Sequence, residues 1–167
     1  MQSRQNRQSR NNRQPQLVYS AFDTAIYYLT FRDRSRKELE DKLKEKGYDA
    51  SEIETAIQKL TDYGYINDER YVCTYIKSQM KGKGKRRIIM ELNGKGVDSE
   101  LTQSVFSDVA YDETEAISDL LQRRYSNLDF EDDAQVRRMY AFFARRGFRY
   151  EDIRSVVSEY RKNNEKY

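Results

Sequence analysis

Residues 85–109, KRRIIMELNGKGVDSELTQSVFSDV, decide the fold. Ile88 and Leu92 stand four apart. Val97 follows Gly96 directly, and Val105, Phe106 and Val109 resume the apolar spacing of a helix. A glycine just past a periodic run is the residue that a left-handed helix C-cap requires. The stretch therefore reads as two helices joined at Gly96. The same pattern surrounds Gly47 and Gly147, 49 residues before and 51 after. Eight positions before each glycine lie Leu39, Ile88 and Met139, and four before lie Leu43, Leu92 and Phe143. One after lie Tyr48, Val97 and Phe148. Nine and ten after lie Ala56/Ile57, Val105/Phe106 and Val156/Val157, and thirteen after lie Leu60, Val109 and Tyr160. Amphipathicity alone would not hold this register across two interruptions, so the chain is an internal repeat.

Further helical spacing runs through Phe22/Ala25/Ile26/Leu29, Ile53/Ala56/Ile57/Leu60 and Ile153/Val156/Val157/Tyr160. Gly64 is a fourth stop. Ser35 with Glu38, and Asp49 with Glu52, have the spacing of capping boxes. The chain has one proline and no alternating β-branched run, so the fold is all-α. Each unit holds three helices: a first near 21–31, 68–80 and 112–125, a second near 35–46, 85–94 and 131–146, a third near 50–63, 99–109 and 150–163. The expected organisation is a disordered basic tail at 1–16 and three-helix repeats at 21–66, 67–110 and 111–163. A single unit of that size cannot bury both sides of its helices, so the repeats stack into an elongated body, straight or curved.

Composition excludes much. Of 167 residues, 35% are charged and 37% hydrophobic, which leaves a thin core. Histidine and tryptophan are absent and Cys73 is the one cysteine. No Ser-His-Asp or Cys-His nucleophile site can form, and no Cys/His zinc site or internal disulfide. Cys73 reads as a small core hydrophobe. The longest apolar run, Ala25 to Leu29, is far short of a membrane span, and the N-terminus has no signal-peptide pattern. The expectation is a cytoplasmic monomer. Gly82–Gly84 is not a phosphate loop: Gln79 stands where the first glycine is needed, and Arg86 where Ser or Thr is needed. Glu131, Asp132 and Asp133 could bind a metal, but read better as a helix N-terminus capped by Asp129. No enzyme activity, cofactor or metal is expected. The tyrosines, among them Tyr48, Tyr63, Tyr140 and Tyr160, read as packing residues.

The net charge of +3 is segregated. Arg4, Arg7, Arg10 and Arg13 occupy a Gln/Asn/Arg/Ser-rich tail without an acid, so the remainder sums to 3 − 4 = −1. The tail reads as a polyanion-seeking arm or as a solubilising segment. Residues 81–87, KGKGKRR, hold five cations, and residues 134–150 hold five arginines and no acid. Between them, 112–133 carries eight acids against Arg123 and Arg124. Solvated faces normally mix signs, so the unmixed runs point to a phosphate backbone or an acidic protein surface.

The segment 67–97, NDERYVCTYIKSQMKGKGKRRIIMELNGKGV, resembles the central signature of the RecX family. In that signature an Asp-Glu-Arg-aromatic helix start precedes a Gly-containing basic loop, then Arg-Ile, Glu-Leu and Lys-Gly-apolar. Ser35-Arg36-Lys37-Glu38-Leu39 with Gly47-Tyr48 is similar to the family's opening repeat, and Ala144-Arg145-Arg146-Gly147-Phe148 to its closing one. The resemblance covers about residues 21–161. Lys85 departs from a frequent proline and Lys77 from a frequent arginine. Tandem three-helix repeats are also what the family implies. It further implies a regulator that lodges in the groove of a RecA filament on DNA, limits its growth and lowers its ATP hydrolysis and strand exchange in recombination, DNA repair and the SOS response. The expected partner is RecA, with single- or double-stranded DNA as a direct contact. The candidate contact residues are Lys81, Lys83, Lys85, Arg86, Arg87, Arg145, Arg146, Arg149, Arg34 and Arg36. The rival reading is a stand-alone DNA-binding protein of helix-turn-helix type.

Overall fold

The computed structural model describes residues 19–164. The basic tail expected at 1–16 lies outside the described residues. Nine helices and no strand occur among those described: α1 (Ala21–Leu29), α2 (Arg36–Lys46), α3 (Ala50–Asp62), α4 (Asp68–Gln79), α5 (Lys85–Gly94), α6 (Ser99–Asp108), α7 (Glu113–Tyr125), α8 (Asp133–Arg145) and α9 (Tyr150–Asn164). None is long and apolar enough to cross a membrane.

The starts and stops obey local chemistry. Ser35 and Asp49 form complete capping boxes with Glu38 and Glu52. Gly47, Gly64, Gly96 and Gly147 all take positive φ, and no other described residue does. After all four of these glycines the next N–H closes back on the helix: Tyr48 on Leu43 O, Tyr65 on Leu60 O, Val97 on Leu92 O, Phe148 on Phe143 O, at 3.3, 2.8, 3.1 and 3.3 Å. Tyr48, Val97 and Phe148 are buried, as the hydrophobic half of a Schellman cap requires, whereas Tyr65 is exposed. One boundary differs from the sequence reading. The cap of α8 is Asp132, which accepts from the Ala134 and Gln135 N–H groups, and not Asp129. Asp129 closes a separate turn on Glu131, while Leu128 and Phe130 fold onto the core before the helix begins. No acidic group able to hold a metal occurs among the described residues.

The repeat register holds in three dimensions. Leu43, Leu92 and Phe143 are fully buried, as are Leu39, Ile88 and Met139 one turn earlier. They belong to three separate cores. Within each module the third helix packs on the first, α1 with α3, α4 with α6 and α7 with α9. Cys73 is half-buried at the margin of the second core. Tyr48 is buried, and Tyr140 and Tyr160 are half-buried on the third core. Tyr63 departs from expectation: it is exposed, touching Phe22 and Tyr65 edge-on, because Leu60 and Ile66 already close that end of the first core.

Adjacent modules meet through helix ends, in the same register twice. At the first junction the Ser35 hydroxyl, at the N-cap of α2, donates to Lys95 O at the end of α5 (2.7 Å). The next N–H, of Arg36, donates to Asp68, the first residue of α4 (3.1 Å). At the second, the Gly84 N–H at the N-cap of α5 donates to Arg146 O at the end of α8 (2.9 Å). The Lys85 N–H then donates to Glu113, the first residue of α7 (3.0 Å). The glycines permit this approach. A Cβ on Gly84 would collide with the Gly147 carbonyl and lie 2.6 Å from Phe148 N. A Cβ on Gly147 would lie 2.5 Å from Arg87 Cβ, and one on Gly96 would strike the Lys37 side chain. A Cβ on Gly47 would meet nothing within 4 Å.

Gly47 and Gly147 share a similar φ, +95° and +84°, so they separate backbone strain from junction packing. Gly47→Ala should cost about 1–2 kcal/mol, the left-handed penalty alone. Gly147→Ala should cost about 1–3 kcal/mol more, for the overlap with Arg87. Urea unfolding of the two variants measures the difference, and equal losses would exclude a packing role for Gly147.

Candidate nucleic-acid and filament interface

The basic segment 81–87 straddles a helix start. Lys81–Gly84 link α4 to α5, and Lys85, Arg86 and Arg87 form the first turn of α5. That turn carries three cations and no acid, against the helix dipole. Carboxylates from elsewhere offset it. Glu91 takes Lys83 Nζ at 2.7 Å and Arg87 Nε at 2.8 Å, and Glu113 receives the Lys85 N–H in place of the side-chain cap that Gly84 lacks. The Lys85 ammonium lies over Phe106 and Tyr111, 5.7 and 5.9 Å from the ring centroids. The Tyr111 hydroxyl donates to Lys83 O.

The second basic run, some 60 residues later in the chain, is brought against the first. Arg146 donates from a guanidinium N–H to Gly82 O at 2.8 Å, so it fastens the loop of module 2 to α8. Arg149 pairs with Asp152 at 3.1 Å, beside Glu113. Arg34 and Arg36 sit at the first junction. Arg34 lies over the Tyr28 ring at 5.4 Å, and the Arg36 guanidinium donates to Thr61 at 3.3 Å. Of the ten residues singled out from sequence, Lys81, Arg86 and Arg145 are exposed with no side-chain partner among the described residues, and Arg36 is exposed with its guanidinium held by Thr61. Lys83 and Arg146 are half-buried on partners inside the protein, and Arg87 and Arg149 are exposed but paired with Glu91 and Asp152.

Sequence reasoning passed over two cations of this surface. Arg124 falls in the segment counted as acidic, yet its guanidinium lies 4.8 Å from the centroid of the Phe142 ring. The same ring carries Arg146 at 4.4 Å. Arg138 stands one turn before Phe142 on α8 and two before Arg145, so Arg138, Phe142 and Arg145 form a stripe along one helix face. The i, i+4, i+7 spacing was present in the sequence, but charge counting by segment concealed it.

A polar network joins the modules beneath the basic surface. Glu38 accepts from the Ser35 N–H (3.2 Å), from Arg32 and Lys95 (3.1 Å each) and from the Tyr71 hydroxyl (3.1 Å). Tyr71 stacks on Tyr75, whose hydroxyl donates to Glu91 at 2.7 Å. Burial opposes ionisation of Glu38, but the bonds from Arg32, Lys95 and Ser35 outweigh it and hold the carboxyl at about 2. Burial likewise opposes ionisation of Glu91, and Lys83, Tyr75 and Arg87 hold it at about 2. Tyr75 is pushed up to about 12 by burial and by Glu91. No buried side-chain nitrogen or oxygen among the described residues lacks a partner.

Comparison with known proteins places this architecture. Models of the first, second and third three-helix domains of RecX match residues 21–60, 67–105 and 111–157. The regulatory protein RecX of Vibrio vulnificus (strain CMCP6) is 32% identical over 85% of this chain and 94% of its own length. That of Legionella pneumophila is 31% identical over 83% of this chain and 93% of its own. The crystal structure of RecX from Lactobacillus salivarius superposes with a TM-score of 0.69 at 28% identity, covering 83% of this chain and 93% of that one. A second RecX crystal structure superposes at 0.70 with 21% identity, covering 83% and 71%, and supports the fold.

The two strongly depressed carboxylates, Glu38 and Glu91, set an acid limb for stability, in the same direction as the lowered Asp112 and Asp132 at their helix caps. A folded pKa below the unfolded value contributes stability that is complete above the unfolded pKa, near 4.5, and is lost as pH falls toward 2. The chain should lose stability across that window. Glu38→Gln with Glu91→Gln should flatten the limb and cost about 1–3 kcal/mol at neutral pH for each set of donors left unsatisfied. Urea midpoints measured between pH 2.5 and 7 check this, and a double variant with an unchanged acid limb would contradict it.

Proposed function

The chain belongs to the RecX family, and on that premise we propose that it regulates a RecA recombinase filament on DNA, binding in the filament groove and lowering ATP hydrolysis and strand exchange. The observation that carries the reading is the juxtaposition of the two basic runs at the second module junction. It leaves Lys81, Arg86 and Arg145 exposed and without carboxylate partners on adjoining elements. A surface built from three modules in register suits a partner that is itself repetitive. The cations of the basic runs that stay outside any ion pair, Lys81, Arg86 and Arg145, suit DNA phosphates and acidic patches of the filament.

The rival reading, a helix-turn-helix DNA reader, fits less well. Such a reader inserts the N-terminal turn of a recognition helix among base edges. Here the N-terminal turns of α3, α6 and α9 all carry acids: Glu52, Glu100, and Glu151 with Asp152. The N-termini of α2 and α5 are occupied by the next module. On the filament reading the protein works without catalysis, in the cytoplasm where the recombinase acts.

Equimolar chain should reduce RecA's DNA-dependent ATP hydrolysis. Lys81→Glu with Arg86→Glu and Arg145→Glu should keep the helical circular dichroism and weaken filament binding at least tenfold, about 1.4 kcal/mol. Lys83 is unsuitable for this test, since an acid there would face Glu91. If an excess of wild-type chain leaves ATP hydrolysis and strand exchange unchanged, the proposed activity is wrong. If inhibition persists in the folded triple variant, the contact surface lies elsewhere.

A further inference from the structure

Between the end of α7 and the outer face of α8 lies an open notch of about 580 Å³, lined by Arg124, Tyr125, Asn127, Leu128, Gln135 and Arg138 among others. It contains no carboxylate. Three other notches all do: that along α9 has Glu151 and Glu159, that beside Lys85 has Asp112, Glu113, Glu115 and Asp152, and that beside Met80 has Asp112, Glu115 and Asp119. Neither Arg124 nor Arg138 forms an ion pair with a carboxylate among the described residues. Asp132, the acid that senses Arg138, already accepts from the Ala134 and Gln135 N–H groups and from the Gln135 side-chain amide. The Arg124 guanidinium is held over Phe142, which Arg146 also engages, and the Tyr125 ring meets Phe142 edge-on at 5.7 Å. Two cations are thus gathered on a ring-supported floor, and no carboxylate among the described residues pairs with either directly.

We propose that this notch in the third module binds one nucleotide unit of single-stranded nucleic acid, with the phosphate on Arg124 and Arg138. The lining selects this ligand over an acidic peptide. Carboxylate side chains need only cations, whereas the notch adds the amides of Asn127 and Gln135 for base edges and the apolar surface of Tyr125 and Leu128 for a sugar or base face. Arginine in both cationic places suits the planar, two-pronged recognition of phosphate. A strand leaving the notch along α8 passes Arg145 toward the basic segment of module 2. The site goes beyond the regulatory reading, since it acts without any recombinase.

The test is fluorescence anisotropy of a labelled oligothymidylate with the chain alone, in parallel with RecA ATP hydrolysis. Wild type should bind. Arg124→Ala with Arg138→Ala should weaken binding at least tenfold and flatten the slope of log affinity against log salt by about 0.7, for one single-strand phosphate contact. Arg138→Ala alone, at an exposed side chain with no internal partner, should lose severalfold with the fold untouched. Arg124→Lys with Arg138→Lys, which keeps the charge, should still weaken binding severalfold. Absence of oligothymidylate binding, or binding unaffected by these variants, overturns the proposal. So does competition by polyglutamate as strong as by unlabelled oligothymidylate, which would assign the notch to an acidic protein. Displacement by adenosine monophosphate at concentrations near those of the oligomer would assign it to free nucleotides instead of a strand. A chain that inhibits RecA yet binds no oligothymidylate refutes this site and leaves the regulatory reading standing.

Discussion

Every helix ends with backbone groups that its own ladder cannot satisfy. In this protein that constraint organises the assembly. The second helix of each of the first two modules presents its N-terminus to the C-terminal end of the second helix in the next. A donor at the N-cap, the Ser35 hydroxyl or the Gly84 N–H, meets a carbonyl just before a positive-φ glycine, Lys95 O or Arg146 O. The following N–H meets the leading carboxylate of the next module's first helix, Asp68 or Glu113. Two orphan ends satisfy each other, and at the second junction Tyr111 also packs against both adjoining cores. The glycines then serve two purposes. Gly96 and Gly147 close their helices and also admit the neighbouring helix start, whereas Gly47, with open space where a Cβ would stand, only closes its helix.

The distribution of charge follows from these junctions. A second helix that opens on Lys85, Arg86 and Arg87 would be poorly placed in isolation. The carboxylates of Glu91 and Glu113 make it tolerable, and both lie on the side facing the protein. Arg146 is consumed as a tether and Lys85 as a cation over two rings, so their conspicuous place in the sequence reflects assembly. What remains on the outside is a smaller set, Lys81, Arg86 and Arg145, continued by Arg138 and Arg124. The acids that balance the chain to near neutrality are spent as caps and hubs, as Glu38 and Asp132 show.

The architecture was legible in the sequence because the signals that specify it are local. Glycine after a periodic run, a capping residue three before a glutamate, and apolar residues in a fixed register each act within one turn of helix. Their recurrence at three glycines gave the module count. The cap of α8 was misplaced by three residues because Asp129 and Asp132 both look like caps, and only the docking of Leu128 and Phe130 on the core decides between them. The candidate surface was less legible. Charge runs mark where cations are dense, but whether a cation is free depends on carboxylates that arrive from other elements. Nothing near Lys83 in sequence announces Glu91 and Tyr111 together, and nothing near Arg146 announces Gly82. Arg124 was missed for the converse reason: the acid nearest it on α7, Asp119, pairs with Arg123, and Arg124 goes to the Phe142 ring.

The division between cores and junctions bears on how such a molecule meets a long partner. Each core is apolar, closed and costly to open, since removing one buried Leu or Phe side chain forfeits about 2–5 kcal/mol. A junction rests on a handful of hydrogen bonds and ion pairs, each contributing about 0.5–1.5 kcal/mol net because water can replace either partner. The modules are therefore the rigid units, and their mutual orientation is the softer coordinate. Glycine contacts limit that coordinate sterically, and the Glu38–Tyr71–Tyr75–Glu91 chain couples it across the second module. A partner that engages exposed cations on two modules at once acts directly on the orientation between them. The basic residues left free at the second junction lie on both sides of it, Lys81 and Arg86 on module 2 and Arg145 on module 3. A polyanionic surface bridging them would hold the junction closed, and the junction in turn would hold those cations at a fixed spacing.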